Sequence, residues 1–143
     1  MINFRSHHIL CAFNFLGLGY SPEFIYNFWN VKKNLREETK IKIINCLDDI
    51  CFSCPNADGK KCKNENTVQV LDQKHSLAFN VKIGDIITWQ EATNRIKTLI
   101  SKKLFDEICF SCKWKKFKVC ENNLSDTVWK VENKHGKIKE KEV

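Results

Sequence analysis

The chain has 143 residues, 43% of them hydrophobic and 11% aromatic, with only 5 Gly and 2 Pro, enough apolar material for one ordinary core and too little turn chemistry for a disulfide-stapled miniprotein. No apolar run approaches the roughly 20 residues that span a bilayer, and Arg5, His7 and His8 interrupt the stretch where a signal segment would need an apolar core, so the expectation is a cytoplasmic protein with no membrane partner. The formal charge of +7 is spread along the chain and gathers only in residues 113–118 and the C-terminal tail. Without an RRM, KH or helix-turn-helix signature this reads as a solvated surface rather than a nucleic-acid interface.

Ser6 is positioned to cap a first helix over residues 7–16, ended by Gly17, with Ile9, Leu10, Phe13 and Leu16 as its buried face. On that helix His7 and His8 stand four and three residues before Cys11, so either imidazole can share a face with the thiol. Ser21 followed by Pro22 starts a second helix, in which Phe24, Ile25, Phe28, Trp29 and Leu35 recur at helical spacing to about Arg36. Ile41, Ile43 and Ile44 form a brief extended run that leads through Cys46 and Leu47 to Asp48. Asn66 can cap a third helix over residues 67–77, and Gly84 breaks the chain after it. Thr88-Trp89-Gln90-Glu91 is a capping box opening a fourth helix to about Lys103, with Trp89, Ala92, Ile96, Leu99 and Ile100 inward. The expected fold is mainly α: one small domain of about four helices, with two duplicated C-x2-C-x7-C metal-binding loops and at most short strands. Residues 1–132 form the metal-binding domain, and residues 133–143, charged and almost without apolar side chains, form a flexible tail.

The duplication is the strongest signal. DDICFSCPNADGKKC, from Asp48 to Cys62, and DEICFSCKWKKFKVC, from Asp106 to Cys120, are identical at eight of fifteen positions. Cys51, Cys54 and Cys62 therefore recur as Cys109, Cys112 and Cys120, 58 residues later. A C-x2-C knuckle lets two thiolates converge on one ion or cluster face, and a third returns after a short loop. In a reducing compartment such spacing points to metal rather than to disulfides. Three thiolates per loop are one fewer than a closed zinc site or an ordinary iron-sulfur cluster uses. Outside the loops stand Cys11, Cys46, His7, His8, His75 and His135. Cys46 has Leu104 at its repeat-equivalent position, so it lies outside the repeated unit and reads as a small buried packing residue. Cys11, on a helix beside two imidazoles, is the thiol whose setting core packing does not call for.

Spacing leaves zinc and an iron-sulfur cluster both open. Ile50, Phe52, Pro55, Ile108, Phe110, Trp114 and Phe117 around the sulfurs would exclude water from a cluster, or simply anchor the loops to the core. No Ser-His-Asp order, P-loop, dinucleotide-binding glycine pattern or HExxH is present, so any catalysis would come from the metal. Asp48, Asp49, Asp106 and Glu107 precede the loops, where acids commonly accept turn amides.

The pieces Arg5-Ser6-His7-His8-Ile9-Leu10-Cys11, Gly19-Tyr20-Ser21-Pro22-Glu23-Phe24, Asp48-Asp49-Ile50-Cys51, Ile87-Thr88-Trp89 and Cys109-x2-Cys112-x-Trp114 together resemble the uncharacterised bacterial and archaeal family called domain of unknown function 1284, whose members are described as predicted iron-sulfur binding proteins. The resemblance runs to about Cys120, and it departs at Ser6, where members tend to carry Pro. It implies a functional set of His7, His8, Cys11, Cys51, Cys54, Cys62, Cys109, Cys112 and Cys120, without Cys46. The function it implies is iron-sulfur binding, such as a 4Fe-4S protein in electron transfer or cluster-dependent redox chemistry, with a redox partner protein. The alternative is a zinc-stabilised module whose basic surface meets nucleic acid or an acidic protein.

Overall fold

The computed structural model describes residues 1–17, 20–51, 54–59, 61–110, 112, 115–132 and 138–140, with only the backbone of 116, 130–132 and 138–140. Phe52, Trp114 and His135 of the sequence reading lie outside the described residues. The architecture is mainly helical, with six α-helices and short strands among the described residues.

Strand β1 (Ile2–Arg5) pairs in parallel with β2 (Lys40–Ile44), which pairs antiparallel with a later strand, Ile86–Thr88. The alternation in β2 is sharp. Ile41 and Ile43 are fully buried while Lys40 and Lys42 are exposed, as expected for a strand with one face on a core. β1 runs without a loop into α1 (Ser6–Asn14). Ser6 is therefore the first helical residue rather than the cap, and its hydroxyl hydrogen-bonds Ser76 Oγ at 2.6 Å. The N-terminus of α1 is served instead by carboxylates from other elements: the Arg5 amide donates to Asp48 at 2.6 Å and the His7 amide to Asp72 at 3.3 Å.

α2 (Pro22–Lys33) starts as expected, with Ser21 Oγ accepting from the Phe24 amide at 3.1 Å, and stops at Lys33, short of Arg36. A two-stranded ribbon, β3 (Ala57–Asp58) and β4 (Lys61–Cys62), follows the first cysteine pair. α3 (Glu65–Phe79) begins before the expected Asn66 cap and ends on Asn80 in the left-handed conformation, φ 54°. β5 (Ile86–Thr88) then gives way to α4 (Trp89–Leu99), where Thr88 Oγ1 accepts from the Glu91 amide at 3.1 Å, the forward half of the expected box. The single helix expected to reach Lys103 is two. The chain breaks at Ile100 and restarts as α5 (Lys102–Ile108), because Ser101 supplies a second cap to the Leu104 amide at 3.0 Å. After the second cysteine pair come a short 3-10 turn (Lys115–Phe117), α6 (Val119–Leu124) and a π-helical turn (Ser125–Trp129). β6 (Lys130–Glu132) pairs antiparallel with β7 (Ile138–Glu140), so a strand falls in the segment read as tail.

α1 is the centre of the packing, against α3 and also α6 and α4. Around it Phe4, Ile9, Leu10, Phe79, Ile96, Phe105 and Leu124 are almost completely buried, each side chain contributing about 1.5–3 kcal/mol by leaving water. Aromatic contacts knit the layers: Phe15 stacks on Phe28 at 4.0 Å between centroids, and Phe105 meets Trp129 edge-on at 5.7 Å. Leu16, expected on the buried face, is exposed because α1 ends two residues before it. Cys46, expected as a packing residue, is also exposed. Cys46 lies past the end of β2 at Ile44, and the alternation that turns Ile41 and Ile43 inward puts even-numbered positions on the outer face with Lys40 and Lys42.

Candidate metal centre

α1 puts its polar face, His7, His8 and Cys11, between the two cysteine loops. A cavity of about 150 Å³ is lined by Cys11, Cys51, Cys54, Cys62, Cys112 and Cys120 together with His7 and His8. A second, of about 20 Å³, is lined by Cys11, Cys109, Cys112 and Cys120 with His7 and His75. The two share His7, Cys11, Leu71, Cys112 and Cys120 as a common wall. Every cysteine of the set named from the sequence thus lines one space or both. Phe15, Phe24, Phe28, Val68 and Leu71 close the larger cavity with apolar surface.

The loops fold alike where their sequences agree. The Cys54 amide donates to the Cys51 carbonyl at 3.0 Å, and the Cys112 amide to the Cys109 carbonyl at 3.0 Å. Three residues on, Ala57 bonds Cys54 and Lys115 bonds Cys112, at 3.0 and 3.3 Å. Each C-x2-C pair is therefore closed by the same backbone hydrogen bond between its two cysteines. In the first loop, backbone amides also aim at sulfur: Asn56 N to Cys54 Sγ and Asn64 N to Cys62 Sγ, both at 3.4 Å. Such N–H···S contacts favour a thiolate.

Five of the thiols, Cys11, Cys51, Cys54, Cys109 and Cys120, nonetheless have pKa values raised above the ordinary thiol range. Burial, then the neighbouring Cys112, Cys120 and Cys109, pushes Cys11 well above the ordinary thiol range. Burial likewise raises Cys51, with Asp48 adding to it, and Cys109, with Cys112 and Cys120 adding to it. Cys120 is pushed up to about 11 by burial and by Cys112, against the pull of Asn14. Cys54 is raised by burial against the Asn56 amide. The mutual influence of Cys11, Cys109, Cys112 and Cys120 groups these four. Tyr20 overlooks both loops, its phenol pushed up to about 12 by burial and by Cys54, Cys112, Cys11 and Cys62.

Three imidazoles are anchored through Nδ1. His7 Nδ1 meets Asp72 at 2.6 Å, His8 Nδ1 meets Asp48 at 2.6 Å, and His75 Nδ1 meets the Leu71 carbonyl at 2.8 Å. Burial works against both carboxylates, but their histidine partners and other donors win and hold Asp48 and Asp72 below the usual carboxylate range. An ionised carboxylate and a carbonyl only accept, so each Nδ1 is the donor and Nε2 is the atom left for other work. This is the arrangement that orients metal-ligating histidines. For His75, Nε2 points at Cys109 Sγ, 3.8 Å away, and burial lowers its pKa to about 3, with His7 adding to the shift. His7 is lowered by burial and then by His8.

Arg5 ties this scaffold together from a fully buried position. It forms a two-pronged pair with Glu65, at 2.7 and 3.3 Å, and donates through Nε to Asp72 at 2.8 Å. Burial alone would lower its pKa, but Glu65 and Asp72 outweigh that and raise it. Glu65 in turn accepts from the Cys62 amide at 3.1 Å, so the third cysteine of the first loop is linked to α1 through one ion pair.

A family model described as Protein of unknown function (DUF1284) matches residues 19–120. The chain belongs to this family. No curated protein and no solved structure matches it. The part that DUF1284 covers contains both cysteine loops and Tyr20, while α1 with His7, His8 and Cys11 stands before it. Sequence reasoning missed Asp48 and Asp72 as histidine anchors, and it did not foresee the contact of His75 with Cys109. His75 and Asp72 did carry a signal: with Leu71 and Phe79 they share the inner face of α3.

Proposed function

We propose that the protein binds iron-sulfur clusters through Cys11, Cys51, Cys54, Cys62, Cys109, Cys112 and Cys120, and works in electron transfer or cluster-dependent redox chemistry with a redox partner protein. The observation that carries the reading is the convergence of these seven thiols, from three separate parts of the chain, on two spaces with a common wall. The donor set fits such a group. Asn14 Nδ2 is buried, makes no hydrogen bond to nitrogen or oxygen among the described residues, and donates toward Cys120, whose pKa it lowers, as suits an amide beside thiolate or sulfide. A bound cluster supplies one-electron redox chemistry at its irons. The chain's own part is to orient the thiols, donate hydrogen bonds to sulfur and keep water out with Phe15, Phe24 and Phe28.

The second reading is a zinc-stabilised module with a basic surface for nucleic acid or an acidic partner. It is favoured at the first loop, where a ring nitrogen of His8, an oxygen of Asp48 and Cys51 Sγ all lie within 4.8 Å of one another. Purification without oxygen, an absorbance spectrum, and iron, sulfide and zinc counts per chain test the two. Iron with matching sulfide supports the cluster; stoichiometric zinc without iron overturns it.

A further inference from the structure

The two loops are alike in sequence, yet the structure offers them different fourth ligands. Cys11, Cys109, Cys112 and Cys120 line one small cavity, and Cys109 lines that cavity and not the larger one. That set is complete with four thiolates. The first loop has Cys51, Cys54 and Cys62, and the remaining thiol, Cys46, is exposed and lines neither cavity. Beside the first loop stands the compact trio of His8, Asp48 and Cys51.

Asp48 is not the spare ligand. Its Oδ2 accepts from the Arg5 amide and His8 Nδ1, both at 2.6 Å, and its Oδ1 accepts from the Ile50 and Cys51 amides, both at 3.0 Å. Four donors occupy the roughly four lone-pair sites of a carboxylate. Asp48 is a positioning residue: one buried group fixes both the His8 ring and the turn that begins at Cys51. With Nδ1 committed to Asp48, Nε2 is the ring nitrogen left to bind a metal, and His8 is among the residues lining the larger cavity.

We propose that the protein has two unlike metal sites: one of four thiolates, from Cys11, Cys109, Cys112 and Cys120, and one of three thiolates and an imidazole, from Cys51, Cys54, Cys62 and His8 Nε2. The proposal rests on the metal-binding reading above and deepens it. Replacing an anionic thiolate by a neutral imidazole removes one negative charge from the first site. Its cluster therefore has the higher reduction potential of the two, in the sense known for histidine-ligated clusters.

The test is anaerobic reconstitution with ferrous iron and sulfide of the parent chain and of Cys11→Ala, His8→Ala and His8→Cys, each grown with nitrogen-labelled histidine. Pulsed electron paramagnetic resonance of the reduced proteins reads histidine nitrogen coupled to iron, and a redox titration reads the potentials. The expected results are a nitrogen coupling in the parent, kept in Cys11→Ala with about half the iron, and lost in His8→Cys with the iron retained and the higher potential shifted down. His8→Cys preserves the ligand count, so loss of the signal there is not loss of the fold. No nitrogen coupling in the parent, or a coupling that survives His8→Cys, overturns the proposal. If the parent takes up no iron, the iron-sulfur reading fails separately. Cadmium substitution then decides the division of ligands: one three-sulfur, one-nitrogen cadmium resonance beside a four-sulfur one supports it, and the absence of the mixed resonance sinks it.

Discussion

Asp48 and Asp106 hold the same position in the two copies of the repeat, and their surroundings differ almost completely. Asp48 is buried and accepts from three backbone amides and one imidazole. Asp106 has a 46% exposed side chain paired with Lys115 at 3.1 Å. The first loop is pinned to β1 and α1 through that carboxylate, with Asp49 accepting from the Asn3 amide of β1 at 2.8 Å beside it, whereas the second continues directly from α5, its Cys109 amide bonding the Phe105 carbonyl at 3.0 Å. Equal spacing makes equal knuckles; the neighbouring elements decide what completes each. α1 is the element that borders both, with Cys11 in the wall common to the two cavities and His8 in the larger one, beside Asp48 and Cys51.

The largest test of that division is loss of metal. Cys11→Ala is expected to remove the metal of the second loop and leave that of the first, and Cys54→Ala to do the reverse, each losing about half the iron and sulfide per chain. The double variant should hold none. Full retention in Cys11→Ala would show that the second loop finds its fourth ligand elsewhere.

The paired aspartates sharpen the comparison through stability alone. Asp48→Ala leaves the amides of Arg5, Ile50 and Cys51 without their acceptor. At about 1–3 kcal/mol for each buried unsatisfied donor, the loss should be about 3 kcal/mol or more. Asp106→Ala removes only a surface ion pair and should cost about 0–1 kcal/mol. Urea unfolding of the two metal-free variants measures both; equal losses would mean that the loops are held in the same way.

Alkali separates the loops by a graded effect on the slope of stability against pH. The buried thiols Cys11, Cys51, Cys109 and Cys120 all have folded pKa values raised above the ordinary range. Above about pH 8.5, where an unfolded chain releases its thiol protons, the folded metal-free chain keeps them, so the unfolded state binds fewer protons and stability falls as pH rises. The fall should be about 1.4 kcal/mol per pH unit for each such thiol, through the window up to the folded values. Three of the four belong to the second set, so Cys109→Ala combined with Cys120→Ala should flatten the slope more than Cys51→Ala does. Bound metal holds thiolates and should abolish the alkaline loss. A flat profile between pH 8 and 10 in the metal-free protein would contradict the burial of these thiols.

Much of this centre was legible in the sequence. The repeat offset named six cysteines, and the clustering of Cys11 with two histidines on one helix named the seventh. Ser21 and Thr88 announced their helices because a cap acts locally, within three residues. Ser6 misled for the opposite reason: β1 feeds α1 without a break, and the donors at that terminus are met by Asp48 and Asp72, which are distant in sequence. The same long-range carboxylates anchor His7 and His8, and no local pattern carries them. Ser101 was a local cap and was readable, but it was hidden by apolar residues that keep helical spacing across the break.

Cys46 is the smallest expected effect and the cleanest control for the comparison. Its chain position, five residues before Cys51, makes it look like part of the first loop, and it has no counterpart in the second, where the equivalent residue is Leu104. In the fold it sits past the end of β2, exposed and outside both cavities. An exposed thiol without a packing role contributes little, so Cys46→Ala should change stability by no more than about 0.5 kcal/mol and leave iron, sulfide and the nitrogen coupling unchanged. That outcome separates it from Cys11, the other cysteine outside the loops. If Cys46→Ala instead strips metal from the first loop, then β2 must release its C-terminal residues on metal binding to bring that sulfur inward. His8 would then lose its place as the fourth ligand, and the two loops would become alike after all.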